Sequence, residues 1–573
     1  MLRLKKQMRS WVLAAILILP GVAFTKPSKD VDQAKRQAKL FQKKIPKDQQ
    51  ILHALDRLTF GPKPGDVARV KKMGLKKWVD LELHPERIEE NPDLEAKLQP
   101  LESLRMTPME AVQHYPTPQM IRAIAAGRQP MPDDPVLRAS VQRLVVRYKV
   151  KKENDEEMEP VKTLDEILDA SERQTLRNGK PDQKRELLTS LPADKLDDVL
   201  IALPRGQRQQ LFNNSPVDVQ RKIMLLNSPQ QVVAYDLLES KLLRAIESNR
   251  QLAEELDDFW FNHFNVYYDK GSDRFLIPEY EREAIHPNVL GKFRHLLEAT
   301  AKSPAMLFYL DNFQSVRPDI DANSKNRKVK RGLNENYGRE LMELHTLGVN
   351  GGYTQHDVTE VARCFTGWTI QDPRKGGAFS YNDNLHDKGE KLVLGHVIPA
   401  GGGMEDGEKV LDILATHPST AKFISTELAQ RFVTDNPPQS LIDKMSKTFL
   451  DTGGDIRLVM KTMLDSKEFW SQGAYRAKVK TPFEMVASSV RALGASITDA
   501  WALANQVGNL GEPLYRKQEP TGYSNLNSEW VNSAALLGRM NFAVQLTQNR
   551  VLGVKVAASP SAETIGSPDF QRR

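Results

Sequence analysis

Apolar positions recur at helical spacing over most of the chain. Ile51, Leu52, Leu55 and Leu58 share one face and predict a helix ending at Gly61-Pro62; Val67, Val70, Leu75, Trp78, Val79 and Leu81 predict further helix after Pro64. Residues 86–185 are less regular and include a charged run at 151–159. The 3.6-residue period is strong over 233–347 and returns at 355–366, 405–432, 438–465 and 478–494. Between those helices, residues 368–398 alternate around Gly- and Asp-rich turns, predicting a small inserted β-ribbon.

A weak repeat punctuates 185–232. Leu191-Pro192, Leu203-Pro204, Ser215-Pro216 and Ser228-Pro229 recur at short, even spacing, each followed by a brief helical pattern. Proline suits a helix start, where its missing N–H costs nothing. These segments predict a stack of short helices that bury apolar faces against one another. The expected fold class is therefore mostly α: a multi-helix orthogonal assembly with a β-ribbon and a short-helix repeat region. Residues 51–556 form one large helical domain in this reading, after a flexible lead-in at 24–50. A disordered tail is expected at 557–573.

The N-terminal pattern is different. Arg3, Lys5, Lys6 and Arg9 precede an apolar run from Trp11 to Leu19, broken by Pro20 and Gly21. Nine apolar residues are too few for a span, which takes about 20. With Gly21 and Ala23 at the small-residue positions, residues 1–23 read as a cleaved signal peptide of the general secretory route. The expected location is periplasmic or extracellular, with no transmembrane span after cleavage.

That leader also changes the charge picture. The chain of 573 residues carries 81 basic and 74 acidic residues, a formal +7. Removing the four leader cations leaves 77 against 74, so a mature chain has little general attraction for nucleic acid, and no basic stripe with interleaved aromatics is present. The single cysteine, Cys364, excludes a disulfide framework and any multi-cysteine metal site within one chain.

Standard phosphate-binding, dinucleotide, zincin, hydrolase-elbow and EF-hand motifs are absent, so candidate chemistry rests on less regular clusters. In Asn334–Leu347, a helical projection puts Asn336, Arg339, Glu340 and Glu343 on one arc. Two carboxylates beside an arginine suit a metal or an acid/base pair; the competing reading is a face of i,i+4 ion pairs. His345 lies far around that helix from Glu343. His263 falls on the apolar face of Leu252, Leu256, Phe259 and Trp260, where a neutral imidazole is either a core residue or a ligand. Asp311 and Asn312 end a helix before a basic loop that holds five cations between 325 and 331. His386-Asp387 lies in the ribbon.

These segments together resemble a family of bacterial exported proteins catalogued as domain of unknown function 1800. The stretches that carry the resemblance are 55–70, 81–88, 259–266, 303–312, 334–369, 386–395, 417–433, 453–470, 476–485 and 522–543. Residues 90–230 stand apart as a helical insertion. The resemblance implies an exported, mostly helical protein whose partner is another exported protein encoded nearby, and it transfers no catalytic residue.

The leading expectation is a buried site in which Glu340, Glu343 and Arg339 face His263 and Asp311, with His386 approaching from the ribbon. His263, Glu340, Glu343 and His386 would bind a divalent metal (Zn, Mn or Fe), and hydrolysis is the reaction class to test first. The rival is a non-catalytic scaffold or assembly partner built on the short-helix repeat.

Overall fold

The computed structural model describes residues 36–132, scattered positions between 138 and 148, and then 162–212, 215–318, 332–373, 375–557 and 562–573. Residues 1–23, expected above to be a signal peptide, lie outside the described residues, as does most of the basic loop after Asp311.

Helices dominate, and the strands are short. The ribbon is two separate antiparallel pairs: Trp368–Ile370 with Phe379–Tyr381, and Lys391–Val393 with His396–Ile398. A third pair joins Ser496–Ile497 to Val554–Lys555. Among the described residues, no helix is long and apolar enough to cross a membrane.

Prolines set the rhythm of the short helices. Pro181 opens the helix Pro181–Ser190 within its first turn, whereas Pro192 and Pro216 sit one position earlier, as the caps of Ala193–Ala202 and Val217–Asn227. Either place uses proline's fixed φ without losing a helical hydrogen bond. Leu188, Leu196, Val199, Leu200, Leu211 and Ile223 are buried between these helices and join the main core.

Both ends of the domain differ from expectation. The lead-in docks from Phe41 onward: Phe41 and Ile45 are buried, and the Ile45 N–H donates to the Trp470 carbonyl at 2.9 Å. Two apolar side chains hold what composition alone marks as mobile. The tail is anchored as well. Ala562–Gly566 is helical, Ile565 packs with Met485 and Ala543, and Arg573 is only 3% exposed. Backbone hydrogen bonds join Arg573 to Lys478 in both directions, and Lys480 donates to Gln571. The tail's low apolar content misleads because its attachment is a strand-like pairing plus a buried ion pair.

The helix Gln251–His263 runs through the centre of this arrangement and is buried on almost every side. Its N-terminus is closed by Glu82, whose Oε2 accepts from the Leu252 N–H at 3.0 Å. A carboxylate there complements the positive end of the helix dipole, while burial pushes Glu82 up to about 7.

Candidate metal centre

The central helix carries four acids in five residues. Glu254, Glu255 and Asp257 are buried, and Asp258 is half-buried. Ionised carboxylates in such a place need partners, and the four find them in two groups. Glu255 and Asp258 meet Arg431, at 2.9 and 3.1 Å. Glu254 and Asp257 face instead toward His286.

His286 arrives there by unusual winding. Pro278 lies inside the helix Asp273–Glu279 and supplies no N–H. The chain continues as a π-helical turn over Tyr280–Ile285, then as a 3₁₀ turn from His286 to Asn288. Single π turns are rare and recur at functional sites. Here the turn supplies Glu281, and His286 directly follows it.

The ligand-type atoms of Glu254, Asp257 and His286 all lie within 4.8 Å of one another. His286 Nδ1 is 3.3 Å from Asp257 Oδ1, and Arg244 Nη1 is 3.7 Å from Glu254 Oε1. The Glu281 carboxylate accepts from the Tyr515 hydroxyl at 2.7 and 2.9 Å and lies 3.7 Å from the Lys241 ammonium. Lys241 also pairs with Asp258 at 3.1 Å and sits among the rings of Phe261, Phe483 and Tyr515.

The proton affinities follow from this crowding. Burial alone would lower His286, but the hydrogen bond and charge of Asp257, with the charge of Glu254, outweigh it and push the imidazole up to about 9. Burial raises Glu254. Burial and the neighbouring Asp257 charge raise Glu281. Asp257 is held low: burial opposes ionisation, but His286, Lys241 and Arg244 overcome it. The crowding of acids thus raises the proton affinity of both His286 and Glu281. A divalent cation held by Glu254, Asp257 and His286 would compensate the same acids and compete with the proton on the imidazole.

Two cavities adjoin the cluster. One of about 250 Å³ is lined by Lys241, Asp257, Asp258 and Glu281, and one of about 580 Å³ by Glu86, Glu90, Arg250 and Arg457. Arg244, Glu254 and His286 line both. Two carboxylates and an imidazole are oxygen-rich donors suited to Mn, Fe or Zn, and three protein ligands leave further positions for water or substrate.

The residues singled out from sequence lie elsewhere. On the helix Glu335–Glu343, Arg339 donates to Gln355 Oε1 at 2.7 Å, and Glu343 accepts from the Tyr353 hydroxyl at 3.1 Å. Glu340 is half-buried, and burial together with the Glu343 charge raises it. His263 does reach this segment, but its Nε2 meets the His345 carbonyl at 3.2 Å, and its carboxylate partner is Glu427 at 2.6 Å. Asp311 is exposed, holds a left-handed φ of 59° and pairs with Lys270 at 2.9 Å. His386 is fully buried, its Nδ1 2.8 Å from the Thr366 carbonyl and its Nε2 3.2 Å from Asp406 Oδ2.

The anticipated set His263, Glu340, Glu343 and His386 is therefore not gathered into one cluster. Among the described residues, the cluster with metal-ligand spacing is Glu254, Asp257 and His286. The sequence signal for it was the run Glu254-Glu255-Leu256-Asp257-Asp258 directly before an aromatic stretch. So many acids on a helix with a strongly apolar neighbourhood have to be compensated inside the protein.

A family model described as "Protein of unknown function (DUF1800)" matches residues 53–569, nearly the whole chain. No curated protein and no solved structure matches it.

Proposed function

The chain belongs to the DUF1800 family, and from its central cluster we propose that it is a divalent-metal-dependent hydrolase acting outside the cytoplasm. The observation that carries this reading is the convergence of Glu254, Asp257 and His286 within 4.8 Å beside two cavities. A metal held there would act as a Lewis acid and lower the pKa of bound water. Glu281, raised by burial and by Asp257, is the group suited to exchange a proton with the reacting centre. Tyr515 fixes its orientation, and Arg244, Arg250 and Arg457 offer donors to a polar or anionic substrate group.

Isothermal titration of chelator-treated protein with Mn²⁺ and Zn²⁺ tests the proposal. One ion per chain is expected, with affinity falling at least about 100-fold in Glu254→Gln and in His286→Ala. Unchanged affinity in both variants would overturn the assignment.

Export rests on the basic–apolar leader. N-terminal sequencing of protein recovered from the cell envelope is expected to begin at Phe24; recovery of the intact leader in the cytoplasm would contradict it.

The scaffold reading draws on the stack of short helices, whose faces leave a groove of about 350 Å³ lined by Leu176, Leu188, Leu203 and Leu211 among others. Its partner would be another exported protein. It requires no ion, so stoichiometric metal in the titration decides against it as the whole account.

A further inference from the structure

A further cavity, of about 570 Å³, has none of the metal cluster's residues in its lining. Its walls come from the central helix, from the helix Pro418–Phe432 and from the segment 517–530. The volume is within the roughly 300–1,000 Å³ range of small-molecule sites.

The base of this cavity holds a fixed acceptor. The His263 side chain is 3% exposed, and both of its nitrogens are engaged. Nε2 faces a carbonyl, which only accepts, so Nε2 carries a hydrogen. Nδ1 lies 2.6 Å from Glu427 Oε2, so that contact also contains a proton, on either the ring or the carboxyl. The second oxygen, Oε1, has no hydrogen-bond partner among the described residues, and the Glu427 side chain is 25% exposed. A buried imidazole thus orients a carboxyl group whose free oxygen is available to a ligand hydroxyl.

The aromatic residues are anchored by their edges. Trp530 Nε1 donates to the Ser524 carbonyl at 2.9 Å, and the Tyr523 hydroxyl donates to the Pro513 carbonyl at 2.9 Å. Their ring centroids are 6.0 Å apart, with planes inclined by 50°. With its polar edge occupied, the half-buried Trp530 ring offers a ligand apolar surface, while the Lys517 ammonium lies over the Tyr523 ring, 5.5 Å from its centroid. Gln430 and Asn525 add amides to the lining, and Glu529 adds a further exposed carboxylate. Lys517, the lining's lysine, is paired with Glu519 at 3.0 Å.

We propose that this cavity is a carbohydrate-binding subsite. A sugar ring combines an apolar C–H face, which packs on tyrosine or tryptophan, with a rim of hydroxyls that donate to carboxylates and exchange hydrogen bonds with amides. The acceptor-rich lining and the paired lysine favour a neutral glycan over an anionic one. The inference does not depend on the metal centre.

Saturation-transfer NMR on the full chain, with maltohexaose, cellohexaose and chitohexaose as probes, tests it. Transfer to at least one glycan is expected, with affinity falling about tenfold or more in Trp530→Ala and in Glu427→Gln. Thermal melts establish that each variant is folded, and Glu427→Gln retains the side-chain shape if Trp530→Ala unfolds. No transfer to any of the three, transfer unchanged in the folded variants, or stronger transfer to adenosine than to any glycan would overturn the proposal.

Discussion

Substituting Arg573 by alanine is expected to destabilise the protein by about 3–5 kcal/mol, the usual cost of removing one partner from a buried ion pair. The guanidinium lies 2.5 Å from Glu484 and 3.3 Å from Glu255, whose side chains are 2% and 0% exposed. Arg431 also touches both carboxylates, at 3.0 and 2.9 Å. Glu255 and Glu484 therefore share two guanidiniums, of which Arg431 also meets Asp258, and deleting Arg573 leaves both buried carboxylates on the one guanidinium that remains. Urea unfolding gives the cost. Adding Glu484→Gln to Arg573→Ala is expected to recover part of it, because the surplus charge is then gone. Strictly additive losses would show that the network is not coupled.

A comparable loss, again about 3–5 kcal/mol, is expected for Asp406→Asn. Asp406 is the counter-charge of a second buried cluster: its Oδ2 is 2.7 Å from Lys391 Nζ and 3.2 Å from His386 Nε2, and all three side chains are 0% exposed. The cluster ties the Lys391–Val393 strand to the helix Glu405–Thr416. An amide keeps the shape of the acid but removes the charge that balances the lysine. Lys391→Met in the same chain is expected to restore stability, since a buried pair replaced by groups of similar volume costs little. Failure of the double variant to recover would mean that packing, rather than charge, sets the loss. On this account His386 stabilises the fold and takes no part in the chemistry.

The contrast between fold and site has a physical origin. Helix periodicity and proline punctuation report on apolar faces, and apolar burial builds most of this structure, from Leu55 and Leu58 to the short helices around Val199 and Ile223. The docked ends escaped that reading because few residues hold them: Phe41 and Ile45 at one end, a charge and a strand-like pairing at the other. The central helix escaped it for a related reason. Its apolar face, Leu252 to His263, follows the helical period, but that period is silent on the acidic positions between, which pack against Lys241, Arg244, Arg431 and Arg573.

Long-range pairing was harder still. The helical period puts His263 on the core face, yet its carboxylate partner Glu427 lies 164 residues away, on another helix. His286 directly follows a π-helical turn that no simple period describes, so its meeting with Glu254 and Asp257 depends on tertiary structure alone. Glu340 and Glu343 do share a helix, as their spacing requires, but spacing within one helix does not specify what faces it.

Glu254, Asp257 and His286 are proposed to hold one metal ion. Anomalous diffraction from crystals soaked in Mn²⁺, recorded near the manganese edge, tests it most directly. A single strong peak is expected about 2.0–2.3 Å from a carboxylate oxygen of Glu254, one of Asp257 and a ring nitrogen of His286. A peak at other residues, or His286 still paired with Asp257 and no peak between them, would contradict it.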